Sequence, residues 1–261
     1  MKEFFGFGGY TRPAEGFLSW QHLSFVGCLL GAMVLLALYF GKKYRDDSPA
    51  QKNKILIGAA ILIDAFEIFK ILILCLRSES AEPILYNLPL FLCSIQLIAL
   101  PLAAFSKGRV KEAALDFVCI FGIMGAVFGT IGAGQNYNAY PVLSLDNVVS
   151  GVTHSISGFA SLYIMFSKSA SLKRENVGIA FGILLSFCVA AYIANILIPY
   201  NYMFLMAGDG TPYDILYNLV GGSPVWYPLS VVALFLIYIS LFYYLVYLCR
   251  KKKTASIAAA K

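Results

Sequence analysis

Two side chains in this sequence could carry covalent or proton-transfer chemistry in apolar surroundings. They are the thiol of Cys93, in "NLPLFLCSIQ", and the imidazole of His154, in "VTHSISG". A thiol acts as a nucleophile only beside a base or a cation; otherwise a buried cysteine is a small apolar filler. His154 is one of only two histidines, and a general base, a proton relay and a ligand contact all suit its type. The other, His22 in "SWQHL", suits interfacial packing as well as it suits a site. A third group stands in "IDAFEIFK", where Asp64, Glu67 and Lys70 interrupt an apolar run. Glu67 and Lys70 are three apart, so on a helix they share a face and neutralise each other, with Asp64 on the adjoining part of the stripe. Their plain reading is a structural ion pair with Lys70 reaching towards the interface. Gln96 and Asn195 add two amides able to stabilise an oxyanion.

Cofactor chemistry has no signal. The six cysteines (28, 75, 93, 119, 188, 249) show neither paired nor zinc-ligand spacing. There is no phosphate loop, no HExxH and no dinucleotide fingerprint, so neither metal nor cofactor is expected.

The elements that must position these residues are membrane helices. Hydrophobic residues make up 59% of the 261-residue chain and charged ones 13%, which is too apolar for a soluble core of this size. The net charge of +6 resides in short loops, which points to topology and away from nucleic acid. A crossing takes about 20 apolar residues. Seven stretches qualify: Trp20–Phe40, Ile55–Leu76, Tyr86–Phe105, Ala113–Gly134, Leu145–Phe166, Val177–Ile198 and Val225–Leu248. Loops 41–54, 106–112 and 167–176 and the tail 249–261 hold 16 Lys and Arg, against three (Lys2, Arg12, Arg77) on the other side. The expectation is an all-α polytopic protein of the cell membrane, seven transmembrane helices, N-terminus outside and C-terminus cytoplasmic. An external segment 1–19 leads into a single domain 20–248 and a basic tail 249–261. The N-terminus lacks the pattern of a cleaved signal peptide, and nothing sets the oligomeric state.

Orientation turns sequence position into depth. On this scheme Lys70 lies about 9 Å below the outer surface, Cys93 about 10 Å, Glu67 and His154 about 13 Å and Gln96 about 15 Å. The costly polar residues thus gather in one half of the bilayer, which predicts an outward-facing polar pocket; Asp116 is the exception. Gly125 and Gly129, in "GIMGAVFGTIGAG", have the GxxxG spacing of close helix packing.

Four stretches, "FLSWQHL", "NLPLFLC", "THSISG" and "NYMFLMAGDGTPYDILYNLVGGSPVWYPL", resemble the YwaF-type family of multi-pass membrane proteins. That family is similar, more remotely, to a vertebrate membrane acyltransferase of ether phospholipids and to androgen-induced hydrolases of fatty-acid esters. The resemblance implies Cys93 as nucleophile and His154 as base, and makes Asn201 and Tyr202 of the last motif expected binding residues. Phe91 stands where many relatives carry a polar residue, which removes one helper group from that scheme.

Two functions remain open on sequence. One is an intramembrane lipid acyltransferase or acyl-ester hydrolase with a membrane lipid as substrate. The other is a transporter or receptor-like protein binding a small polar solute through Asp64, Glu67 and His154. Nucleic acid is expected as a partner of neither.

Overall fold

The computed structural model describes residues 2–259, with side chains through Lys251. Among the described residues it is all helical: α1 Lys2–Phe5, α2 Trp20–Lys43, α3 Pro49–Ser78, α4 Glu82–Tyr86, α5 Gln96–Phe105, α6 Gly108–Thr130, α7 Gly134–Ala139, α8 Leu145–Phe166, α9 Val177–Leu197, α10 Asp214–Leu219 and α11 Trp226–Ala259. Of the expected basic tail 249–261, residues 260 and 261 lie outside the described residues. Two compact units divide the chain, Met1–Ala170 and Ser171–Lys261.

Five helical stretches are long and apolar enough to cross a membrane: Trp20–Lys43, Gly108–Ala139, Leu145–Phe166, Arg174–Leu197 and Trp226–Lys251. The helix at the second expected crossing, α3, has 30 residues, about 45 Å, but carries Asp64, Glu67 and Lys70 mid-length. The expected third crossing, Tyr86–Phe105, is not one helix. Only Gln96–Phe105 is α-helical, about 15 Å, and residues 87–95 are irregular. Pro89 is the physical reason: it has no N–H to donate and biases the residue before it away from helix. The freed groups find local partners, Asn87 Nδ2 donating to Pro83 O (2.8 Å), Leu90 N to Leu88 O (2.7 Å) and Phe91 N to Ser94 Oγ (2.9 Å).

In the first unit α6 is the central helix. Of its most apolar stretch 67% is buried, against 17% for α2, so the others pack around it. Small residues let α8 close on it. A Cβ on Gly122 would stand 2.7 Å from Ser157 O and 2.8 Å from Ser161 Cβ. Ser161 Oγ donates to Cys119 O at 2.6 Å across the same seam. Hydroxyls and close backbones are what hold helices together where lipid removes the hydrophobic drive.

Serines start the long helices: Ser19, Ser48 and Ser144 cap α2, α3 and α8 by accepting from His22 N, Gln51 N and Asn147 N. The Ser48-Pro49 start explains why α3 begins six residues before the expected Ile55.

α3 and α8 run antiparallel, pinned at both ends. Arg77 makes a two-pronged ion pair with Asp146 (Nη1 to Oδ2 2.8 Å, Nη2 to Oδ1 3.0 Å), and Tyr163 Oη donates to Lys52 O at 3.0 Å. Tyr10 Oη donates to the same Asp146 carboxylate at 2.5 Å, which ties down the N-terminal segment.

In the second unit α9 packs against α11, and the link between them folds on its own amides. Asn195 Nδ2 donates to Tyr202 O (3.0 Å) and Tyr202 N donates back to Asn195 Oδ1 (2.6 Å). Asn201 Nδ2 reaches Ala207 O and Asp209 Oδ2, and its Oδ1 accepts from Met206 N.

Burial, then the hydrogen bond to Asp146, pushes the Tyr10 phenol up to about 12 from an ordinary 10.0. A raised folded value keeps the proton on in the fold after it has left the unfolded chain. The stability Tyr10 contributes is therefore intact below pH 10 and is lost between there and pH 12. Relative to Tyr10→Phe, the wild-type melting temperature should fall across that window in a pH series. A gap that stays constant to the top of the range would mean Tyr10 is not held against Asp146.

Candidate functional site

The irregular stretch before α5 winds into a helical turn at Phe91, where Ile95 N donates to Phe91 O at 2.9 Å. Ser94 Oγ, bonded to Phe91 N, closes this turn as a cap would. Cys93 thereby stands in the turn that leads into α5, where N–H groups not committed to a helix favour negative charge. The backbone N–H groups of Cys93 and Ser94 lie within interaction range of its sulfur.

His154 comes from α8. Its Nδ1 lies 2.7 Å from Ser150 O, one turn back on the same helix. A carbonyl only accepts, so Nδ1 carries the ring proton and Nε2 keeps its lone pair. The Cys93 thiol and the His154 imidazole are hydrogen-bonded to each other, and Nε2 is the nitrogen left for that bond. Both residues are half-buried.

α6 gives this pair its floor. A Cβ on Gly125 would stand 3.5 Å from Cα and Cβ of Cys93. A Cβ on Gly129 would overlap the His154 ring at Cδ2 and Nε2. The two glycines of the GxxxG spacing therefore do more than bring helices together: each backs one member of the pair.

α3 supplies the charges. Lys70 Nζ and Glu67 Oε1 are 2.5 Å apart, with side chains 14% and 13% exposed, and Lys70 is within electrostatic reach of His154. The antiparallel pin explains the placement. Lys70 is seven residues before Arg77 and His154 eight after Asp146, about 10.5 and 12 Å along facing helices. Asp64 is half-buried, with no hydrogen bond or ion pair among the described residues. Gln96, the first residue of α5, is fully buried.

The remaining expected residues serve the backbone. His22 Nδ1 accepts from Leu18 N at 3.1 Å, its Nε2 faces Thr130 O at 3.5 Å, and its ring lies 4.0 Å from that of Tyr137. Asn195, Asn201 and Tyr202 form the α9–α11 link already described. Their polarity near helix ends is spent on loop geometry. The cavity lined by Glu3, Phe4, Arg12, Pro141 and Leu143 contains none of the expected residues.

Sequence reasoning missed the Ser150 carbonyl, the backing role of Gly129 and the Arg77–Asp146–Tyr10 cluster. The first was findable, because a helical histidine can reach the carbonyl four residues back. The others require contacts between segments far apart in the chain.

The model of the TMEM164 family matches residues 17–243, nearly the whole chain. The chain belongs to the TMEM164 family. It is thus a member of a membrane-protein family, in keeping with its long apolar helices. No curated protein and no solved structure matches it. The match of this TMEM164-family chain includes every element around the Cys93–His154 pair and carries no activity with it.

Two outcomes follow from these contacts. Glu67→Gln alone should lower the melting temperature more than Glu67→Gln with Lys70→Met, since breaking a buried pair costs about 3–5 kcal/mol and replacing both partners is often near neutral. A double variant that melts lower than the single one would show that the two residues are not partners. Gly129→Ala should destabilise by about 1–3 kcal/mol through overpacking. His154→Ala in the same chain should recover most of that loss, whereas additive losses in a double-mutant cycle would place the new methyl group elsewhere.

Proposed function

We propose that this TMEM164-family protein catalyses acyl transfer or acyl-ester hydrolysis on a membrane lipid, with Cys93 as nucleophile and His154 as general base. The observation that carries the reading is the Cys93–His154 hydrogen bond, with the imidazole tautomer fixed by Ser150 O. Nucleophile, base and a third group orienting the base constitute the working arrangement of covalent acyl chemistry. Here a backbone carbonyl takes the orienting role. The resemblance to YwaF-type proteins, and through them to ether-lipid acyltransferases and ester hydrolases, supports the same residues.

The steps balance without a cofactor. Nε2 of His154 takes the thiol proton as Sγ bonds to the ester carbonyl carbon, and the carbonyl π pair moves onto oxygen. Collapse of the adduct breaks the ester C–O bond, and the leaving alkoxide receives the proton from His154. A thioester on Cys93 remains. A second hydroxyl, from water or another lipid, gives its proton to His154, attacks the thioester and returns the thiol. Glu67 and Lys70, paired beside the base, are suited to orient His154 or a lipid headgroup.

Seven crossings, with the N-terminus outside and the protein in the cell membrane, belong to the same reading. They are supported by the basic loops, with α3 and the α4–α5 segment as the two crossings beyond the five apolar ones. A second reading, solute binding or transport, is favoured by one observation: half-buried Asp64 has no partner among the described residues.

A lipid-like thiol electrophile applied to intact membranes should label Cys93 and do so at least about tenfold more slowly in His154→Ala, because the thiolate is the reacting form. Cys119 and Cys188, buried on apolar helices, are the controls and should be indifferent to that change. Cys28 is exposed and does not belong among them. Labelling of Cys93 no faster than the controls, or unaffected by His154→Ala, would sink the enzyme reading in favour of Asp64-centred binding.

A further inference from the structure

Gln96 is fully buried, and among the described residues neither Nε2 nor Oε1 of its side chain has a hydrogen-bond partner. Buried amides elsewhere in the chain are satisfied. Asn147 donates to Tyr140 O and Pro141 O, and Asn195 exchanges two bonds with the Tyr202 backbone. An unmet amide in a dry interior is expensive to keep, so its place calls for a reason. Its place is the turn that holds Cys93. Phe91 O accepts from Ile95 N, and Ser94 O from Leu97 N, so the chain is already winding as a helix between the two residues. Residues three apart on a helix stand on one side of it. In the same turn the N–H groups of Cys93 and Ser94 lie within interaction range of Sγ.

We propose that the turn leading into α5 is an oxyanion site for an acyl carbonyl, formed by the N–H groups of Cys93 and Ser94 with the side-chain amide of Gln96. The inference rests on the acyl-transfer reading above and names the group that reading still lacks. In the resting protein the N–H groups serve the sulfur. When Sγ bonds to the carbonyl carbon, negative charge leaves the sulfur for the carbonyl oxygen, one bond further out. The two N–H groups follow the charge, and Nε2 of Gln96 becomes a third donor. Collapse returns the electron pair to the C=O bond as the ester oxygen leaves. Donors fixed in place before the reaction are what such a site needs. The ligand class is any ester or thioester of a fatty acid, because the site reads the carbonyl and not the chain.

The test compares two reactions of the same sulfur in the full-length protein in lipid nanodiscs. Iodoacetamide alkylates Cys93 without forming an oxyanion; a p-nitrophenyl ester of a medium-chain fatty acid acylates it through one. Both adducts are read by mass. In Gln96→Met and in Gln96→Leu, acylation should fall about 100-fold while alkylation stays within about threefold of wild type. The melting temperature should hold or rise, because an unmet amide has been removed. Acylation that is unchanged, or that falls only in step with alkylation, overturns the proposal. So does a lower melting temperature in both variants, which would mean that the resting protein satisfies Gln96 with internal water. If wild-type Cys93 takes no acyl group, or takes it regardless of His154, the acyl-transfer reading itself has failed. A His154-dependent acylation that ignores Gln96 leaves that reading intact and removes only the oxyanion site.

Discussion

The arrangement depends on one stretch of backbone without side chains. Gly122, Gly125 and Gly129 lie three and four residues apart, on one face of α6. Each is filled by something different: the Ser157 carbonyl and Ser161 methylene of α8, the Cys93 turn, and the His154 ring. Apolar side chains gain little by leaving lipid for one another, so close backbone approach and hydroxyl bonds must hold the helices. A methyl group at Gly122 or Gly129 would collide with α8, whereas one at Gly125 would meet the Cys93 turn at ordinary contact distance. The central burial of α6 follows from this, since a bare face is useful only when covered.

The second constraint is the break at Pro89. Irregular backbone inside a membrane protein is tolerated where its polar groups are met within the protein. Here Asn87, Leu90 and Ser94 meet them. The break gives the chain a helix start near Cys93, with N–H groups within interaction range of the sulfur. An unbroken helix over the expected Tyr86–Phe105 would have committed those N–H groups to carbonyls four residues back. The shortening of α5 to ten residues is thus inseparable from the placement of the thiol.

Most helix limits were legible because long apolar runs and capping serines are local signals. Leu145–Phe166 is found as expected, and α2 and α9 differ only at their C-terminal ends. Pro89 was equally visible, but its consequence depended on whether neighbours could satisfy a continuous helix, which sequence does not show. Depth arithmetic brought Cys93, His154 and Lys70 to similar levels, and the structure brings those three together. His22, for which packing and a site were equally open, serves Leu18 N and faces Thr130 O. Depth fixes a position along a helix axis and says nothing of rotation about it. A polar residue near a helix end has a loop backbone within reach, and that demand decided His22, Asn195 and Asn201.

The charges in "IDAFEIFK" then take their meaning from register. Two helices in lipid, each largely apolar outside, could slide by a turn at little cost in burial. The two-pronged Arg77–Asp146 pair removes that freedom at one end, and Tyr163 on Lys52 O removes it at the other. A one-turn slip would move Lys70 about 5.4 Å along His154's helix. With the slip forbidden, Glu67 and Lys70 neutralise each other at one depth beside the imidazole. Breaking the Arg77–Asp146 pair would therefore disturb a site two turns away without touching any residue in it.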